Sequence, residues 1–207
     1  MTEAFTALVS PVFRQVIQLL RRIEQGESPE LEPERVKVVA LLEEAGRQAR
    51  STAQLASDFA LARHALVYWI DEVLNNAPWP HAAAWQNRIL EWQYFRERIR
   101  SERFYEEADK ALRLGSTDPL ETFYLCLAMG FRGKYDDDPE GLFRWAQLAY
   151  QRIGAGCRQP DRFLPDEPLD RQPLAPRRGP SVLLAVSLLV SLSALATVVG
   201  FVLAVSP

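Results

Sequence analysis

Apolar residues recur at steps of three and four through most of the first 156 positions, and each run is bracketed by helix start and stop signals. Ser10-Pro11 places a capping hydroxyl before a proline and opens a helix with Val12, Val16, Leu19 or Leu20, and Ile23 on one face, closed by Gly26. Glu32-Pro33 opens a second helix, striped by Val36, Val39, Leu42 and Ala45 or Ala49. A third runs from about Gln54 to Asn75 with Leu55, Phe59, Ala62, Leu66, Trp69, Ile70 and Val73 inward, a spacing that suits a packed antiparallel bundle. Pro78 and Pro80 interrupt the chain, and a further helix carries Trp85, Ile89, Trp92, Phe95 and Ile99 inward. Ser101 caps the next, through Phe104, Ala108 and Leu112 to Gly115. Asp118-Pro119-Leu120-Glu121 reads as a capping box starting a helix through Phe123, Tyr124 and Leu127, ended by Gly130 and Gly133. Asp138-Pro139 starts the last of these, with Leu142, Trp145 or Ala146, Ala149 and Ile153, up to Gly154 and Gly156. No alternating run of β-branched residues bounded by hairpin turns occurs, so residues 1–157 read as an all-α domain of about seven helices.

The pattern then changes twice. Between Gln159 and Pro180 there are six prolines, mixed with charges and with few large apolar residues, Phe163, Leu164 and Leu169 among them, so 158–180 reads as an extended, semi-rigid linker. From Ser181 to Ser206 no residue is charged. A helix over 181–206 would be ~39 Å long, more than the ~30 Å hydrocarbon core of a bilayer, so it is long enough to span once as a transmembrane helix. Nothing but Pro207 follows it and the mixed residues from Met1 to Leu20 do not form a signal peptide, which predicts a tail anchor. Arg171, Arg177 and Arg178 precede the apolar stretch and no basic residue follows it, which puts the head in the cytoplasm and the C-terminus outside.

Composition narrows the function classes further. The 207 residues carry a net charge of −3, with no basic cluster of the kind that grips nucleic acid. Cys126 and Cys157 are too few for a disulfide framework and read as small apolar residues. His64 and His81 have no second His or Cys at ligand spacing, and Asp136-Asp137-Asp138 lacks the alternating ligands, central Gly and terminal Glu of a calcium loop, so no metal or cofactor is expected.

Two clusters stand out in the head. On the third helix His64, Tyr68, Asp71 and Asn75 share the face opposite Leu66, with Glu72 a third of a turn away. A His, a Tyr and a carboxylate on one face are the makings of acid–base catalysis, but the favoured reading is a solvated polar face. Asp71 and Glu72 also sit at the unfavourable end of the helix dipole, which costs ~0.3–1 kcal/mol each and calls for a binding partner or a basic neighbour. The second cluster, Gly130-Phe131-Arg132-Gly133-Lys134-Tyr135, has no Ser or Thr after its Lys and no four-residue gap between glycines, so it is not a phosphate loop. It reads as a helix C-cap and turn whose glycines supply positive φ, with Phe131 and Tyr135 turned to the core and Arg132 and Lys134 exposed to meet an acidic partner. In the tail Ala196, Gly200 and Ala204, with Ser187 and Ser191, form a small-residue row that favours helix association and permits a homodimer.

These residues together resemble a family. Tyr68-Trp69-Ile70-Asp71-Glu72, Glu91-Trp92-x-x-Phe95, Phe104-Tyr105, and Asp118-x-Leu120-Glu121-x-Phe123-Tyr124-Leu125-Cys126-Leu127-x-x-Gly130-Phe131-x-Gly133-x-Tyr135 are similar to the DotU/TssL (IcmH-like) family over roughly residues 5–155, with the apolar stretch in the expected place. The resemblance implies a non-enzymatic, inner-membrane scaffold subunit of a bacterial type VI secretion system, or of the Dot/Icm type IVB system, with a hook-like cytoplasmic domain of two helical bundles. It implies partners of three kinds: the large IcmF/TssM-like membrane subunit, TssK-like baseplate subunits and TssE-like ones. It also places Asp71 and Glu72 beside a partner-binding cleft, and matches the 130–135 turn to the family's second signature. Some relatives continue into a periplasmic peptidoglycan-binding domain, which this sequence does not include. The alternative from another class is a tail-anchored enzyme using the His64, Tyr68 and Asp71 face.

Overall fold

The computed structural model describes residues 1–156. Eight α-helices and one 3-10 turn, with no strand among the described residues, make up the head: α1 (Glu3–Glu24), α2 (Leu31–Ala49), α3 (Ala53–Asn76), α4 (Ala82–Gln86), α5 (Leu90–Phe95), α6 (Arg100–Leu112), α7 (Asp118–Ala128), the turn Gly133–Tyr135, and α8 (Pro139–Gly156). The linker 158–180, the apolar stretch 181–206, Cys157 and the row Ala196, Gly200, Ala204 lie outside the described residues. Among the described residues no helix is long and apolar enough to cross a membrane.

The 24-residue α3 is the common axis. It packs with α1 and α2 on one side and with α6 and α7 on the other; α8 closes on α7, and the short α4 and α5 lie along α3. Twelve of its residues are buried, from Asp58 to Leu74, and they include both the Leu66–Trp69–Ile70 stripe and Ala65, Val67, Tyr68, Asp71 and Glu72. The face expected to be solvated is therefore covered. Helical periodicity groups His64, Tyr68 and Asp71 correctly but carries no information about what packs over them.

Other expectations shift for identifiable reasons. α1 begins at Glu3, capped by Thr2, whose hydroxyl accepts from the Phe5 N–H at 3.4 Å, and Pro11 lies inside the helix instead of opening it at Ser10. A proline in a helix interior costs ~3 kcal/mol. The added turns bury Phe5, Leu8 and Val9, each contributing about 1.5–3 kcal/mol, and that sum exceeds the cost. In α2, Val38 turns inward and Val36 outward, because the buried Glu34 collects Gln15 Nε2 at 2.9 Å, Arg22 Nη1 at 3.0 Å and Lys37 Nζ at 3.0 Å on the same face.

The single helix expected after Pro80 is two short ones. Ile89 is extended (ψ 146°) and Arg96 adopts the left-handed conformation (φ 60°), so the helical phase restarts at Leu90, and Trp92 and Ile99 are left half exposed instead of inward. Ser101 falls in the first turn of α6 and bonds Glu102, not the backbone. At α7, Thr117 is the capping position and bonds Glu121 at 2.9 Å, while the Asp118 carboxylate reaches across to α1 and accepts from the Thr2 N–H at 2.7 Å and hydroxyl at 2.5 Å. Asp138 does cap α8, accepting from the Gly141 N–H at 2.8 Å. Cys126 is buried, its Sγ 3.6 Å from Ala65 O, and burial raises its pKa, which keeps it a protonated apolar residue.

Candidate functional site

The acidic pair closes the last buried turn of α3, and its two members point to different segments. Asp71 is fully buried. Its Oδ1 accepts from Trp85 Nε1 at 2.9 Å and the Leu90 N–H at 2.9 Å, and its Oδ2 from the Glu91 N–H at 2.7 Å. Leu90 and Glu91 begin α5, so this carboxylate satisfies the first orphan donors of that helix and ties α4 to it through Trp85. Burial pushes the Asp71 pKa up to about 6, against the pull of the three N–H donors and of Arg100.

Glu72 is 9% exposed. Its Oε1 accepts from the Arg132 N–H at 2.6 Å and the Gly133 N–H at 3.2 Å, two successive backbone donors converging on one oxygen. The position that looked unfavourable on the dipole of α3 is thus compensated chiefly by backbone N–H groups of two other segments, with Arg100 a lesser aid to Asp71.

The turn that Glu72 holds is built as the sequence suggests. Gly130 (φ 105°) ends α7, with the Phe131 N–H donating to Cys126 O at 3.0 Å and the Gly130 N–H to Leu127 O at 3.1 Å, the paired bonds of a Schellman ending. Phe131 is buried and stacks on Phe104, ring centres 3.9 Å apart, and Tyr135 packs against Tyr105 at 4.6 Å. Tyr105 also donates its hydroxyl to Arg132 O at 2.7 Å. A Cβ on Gly133 (φ 55°) would lie 2.8 Å from the Phe131 ring and 2.9 Å from Ser101 O, so the close approach itself requires glycine. Arg132 departs from expectation: its guanidinium folds back onto Leu127 O (3.1 Å) and Phe131 O (2.9 Å), neutralising the carboxyl end of α7 instead of facing solvent. Lys134 is exposed and lies over the Tyr105 and Tyr135 rings at 5.2 and 5.1 Å.

Between the start of α6 and the turn that Glu72 holds a cleft of about 240 Å³ opens, lined by Glu72, Asn76, Arg98, Arg100, Ser101, Gly133 and Asp136. Sequence reasoning missed its arginines: Arg98 sits on the irregular stretch before α6 and Arg100 at the first position of that helix, and neither belongs to an apolar stripe. It also missed Glu91 as a site residue. That residue is fully buried, takes the Ile99 N–H at 2.5 Å and faces Arg100 at 3.8 Å, so it orders the segment that supplies the arginines. A charged residue beside the apolar Leu90 and Trp92 was the available clue. Asp71, by contrast, offers no surface to the cleft.

The His64, Tyr68 and Asp71 face is packed under neighbouring side chains and does not open as a solvated acid–base site. Both Asp71 oxygens are occupied, the Tyr68 hydroxyl has no partner among the described residues, and His64 stacks on Phe95 at 4.1 Å with Nδ1 3.1 Å from Ala60 O. Burial lowers the His64 pKa and raises that of Tyr68.

The head is similar in fold to the cytoplasmic domain of TssL from Acinetobacter baumannii, with a TM-score of 0.62 and 23% identity over 72% of this chain and 98% of that one. It is likewise similar to SciP/TssL of the type VI secretion system from Escherichia coli Enteroaggregative 042, with a TM-score of 0.52 and 18% identity over 84% of this chain and 98% of that one. No curated protein matches. Residues 4–206 match the family described as Type VI secretion system protein DotU, and with nearly its whole length matched, this chain belongs to the DotU family of type VI secretion proteins.

Proposed function

We propose that this chain is a tail-anchored scaffold of the type VI membrane complex, with residues 181–206 spanning the bacterial inner membrane, the helical head in the cytoplasm and the C-terminus in the periplasm. The observation that carries this reading is the extent of the family match, which runs to residue 206 and so includes the uncharged stretch. Arg171, Arg177 and Arg178 before that stretch support the orientation. The head acts as a dock: the cleft beside Glu72, with Arg98 and Arg100 on its wall, receives baseplate subunits of the TssK-like and TssE-like kinds, while the tail row Ala196, Gly200 and Ala204 meets the IcmF/TssM-like subunit or a second copy.

Membrane fractionation tests the anchor. Leu189→Arg places a charge mid-span at a cost of ~2.5–3.5 kcal/mol and moves the protein to the soluble fraction; retention at the membrane after removal of 181–206 overturns the reading. The dock is tested by co-purification with the IcmF/TssM-like and TssK-like subunits. Arg98→Glu weakens capture of the baseplate subunit while circular dichroism of the head is unchanged, and undiminished capture overturns the cleft assignment.

A further inference from the structure

α1 and α7 both pack on α3 without packing closely on each other, which leaves a trough between them. Two hollows, of about 310 and 350 Å³, share Ser10, Phe13 and Leu125 and so form one continuous depression. Along α1 it runs from Thr6 to Arg21, about 23 Å at the helical rise. Its floor is apolar, made by Phe13, Ile17, Leu125 and Met129, and Phe13 is backed by Trp69 of α3 at 5.0 Å. On its rim Arg14 and Arg21, two helical turns apart, are exposed and form no ion pair among the described residues. The one carboxylate of the depression, Glu121, is held by the Met1 amine at the far end. This trough shares none of its lining with the cleft beside Glu72.

We propose that the trough between α1 and α7 docks an amphipathic helix of a partner protein, whose apolar stripe covers Phe13, Ile17, Leu125 and Met129 and whose carboxylates meet Arg14 and Arg21. The occupant is helical because both walls are helices with satisfied backbones. An extended segment would find no edge to pair with and would bury its own N–H and C=O groups unpaired, whereas a helix brings its backbone bonds with it. It is acidic because the rim is cationic and unpaired. It is not a second copy of this chain, since a two-fold contact through this face gathers four rim arginines into one interface whose lining carboxylates, the two Glu121 side chains, are already held by the Met1 amines. The length of the trough fits a helix of about 15 residues. The assignment goes beyond the anchoring role and holds whether or not residues 181–206 span a membrane.

The test uses the full chain in a mild non-ionic detergent and fluorescently labelled synthetic helices of about 15 residues, with leucines at three- and four-residue spacing flanked by glutamates in one peptide and by lysines in the other. The glutamate peptide binds, Arg14→Glu with Arg21→Glu weakens it roughly tenfold, and the same variant gains affinity for the lysine peptide. This charge swap is a readout that misfolding does not reproduce. Equal binding of both peptides, or no response to the double variant, overturns the proposal. So does displacement of the glutamate peptide by vesicles of anionic phosphatidylglycerol, which assigns the face to lipid. Failure of the membrane anchor or of the Glu72 cleft leaves these outcomes unaffected.

Discussion

Asp71 and Glu72 are consecutive, and each accepts two backbone N–H groups from a distant segment, but they work in different surroundings. The Asp71 arm is sealed: α4 and α5 lie over it, Trp85 completes its shell, and no cleft reaches it. The Glu72 arm ends at the edge of a cleft, with water within reach of the turn it holds. One motif thus contains a carboxylate that serves only the interior and a carboxylate that shapes a surface. The part of the motif that reaches the surface is the Glu72 side, together with the loops that both residues position.

That contrast can be broken most forcefully at Asp71. Asp71→Ala leaves Trp85 Nε1 and the Leu90 and Glu91 N–H groups buried without an acceptor, at ~1–3 kcal/mol each; relief of the buried charge returns part of this, for a net loss of about 3 kcal/mol or more in urea unfolding. Gly133→Ala, which forces a Cβ against Phe131 and Ser101 O at positive φ, costs about 2 kcal/mol by the same measurement. Glu72→Ala costs about 1 kcal/mol, because water in the cleft can replace the lost acceptor for Arg132 and Gly133. If the Glu72 and Asp71 variants unfold equally early, the two arms are equally sealed and the distinction fails. The finest test is pH. The folded-state pKa of Asp71 lies near 6 against 3.8 for the ordinary group. The native state therefore holds the extra proton in that window, and the contribution of this group to stability is full below pH 3.8 and lost as pH rises through 6. Wild type gains stability over Asp71→Asn on acidification across that window; parallel pH profiles would show that Asp71 titrates normally.

Much of this was legible in the sequence. The stripes of α1, α3 and α8, the stops at Gly26, Pro78 and Gly130, and the inward Phe131 and Tyr135 follow from period and turn chemistry, which act over a few residues. What escaped depends on tertiary partners. The polar face of α3 is covered because α4 and α5 present N–H groups to it, and those helices are too short to announce themselves by periodicity. The Asp118 carboxylate looked like a local cap and instead bonds Thr2, 116 positions away. Arg132 looked exposed because nothing in its neighbours signals that the carbonyls closing α7 need a cation.

The adjacency of the two carboxylates on one turn of α3 also has a mechanical meaning. Chain segments 85–91 and 132–133 are more than forty positions apart along the backbone, yet each is bolted to the same turn of the same 24-residue rod. A tug on either loop is delivered straight to α3, bypassing the length of chain between them. In a part that must keep its shape while neighbouring parts move, such a shunt lets surface loops carry load without the intervening helices being drawn apart.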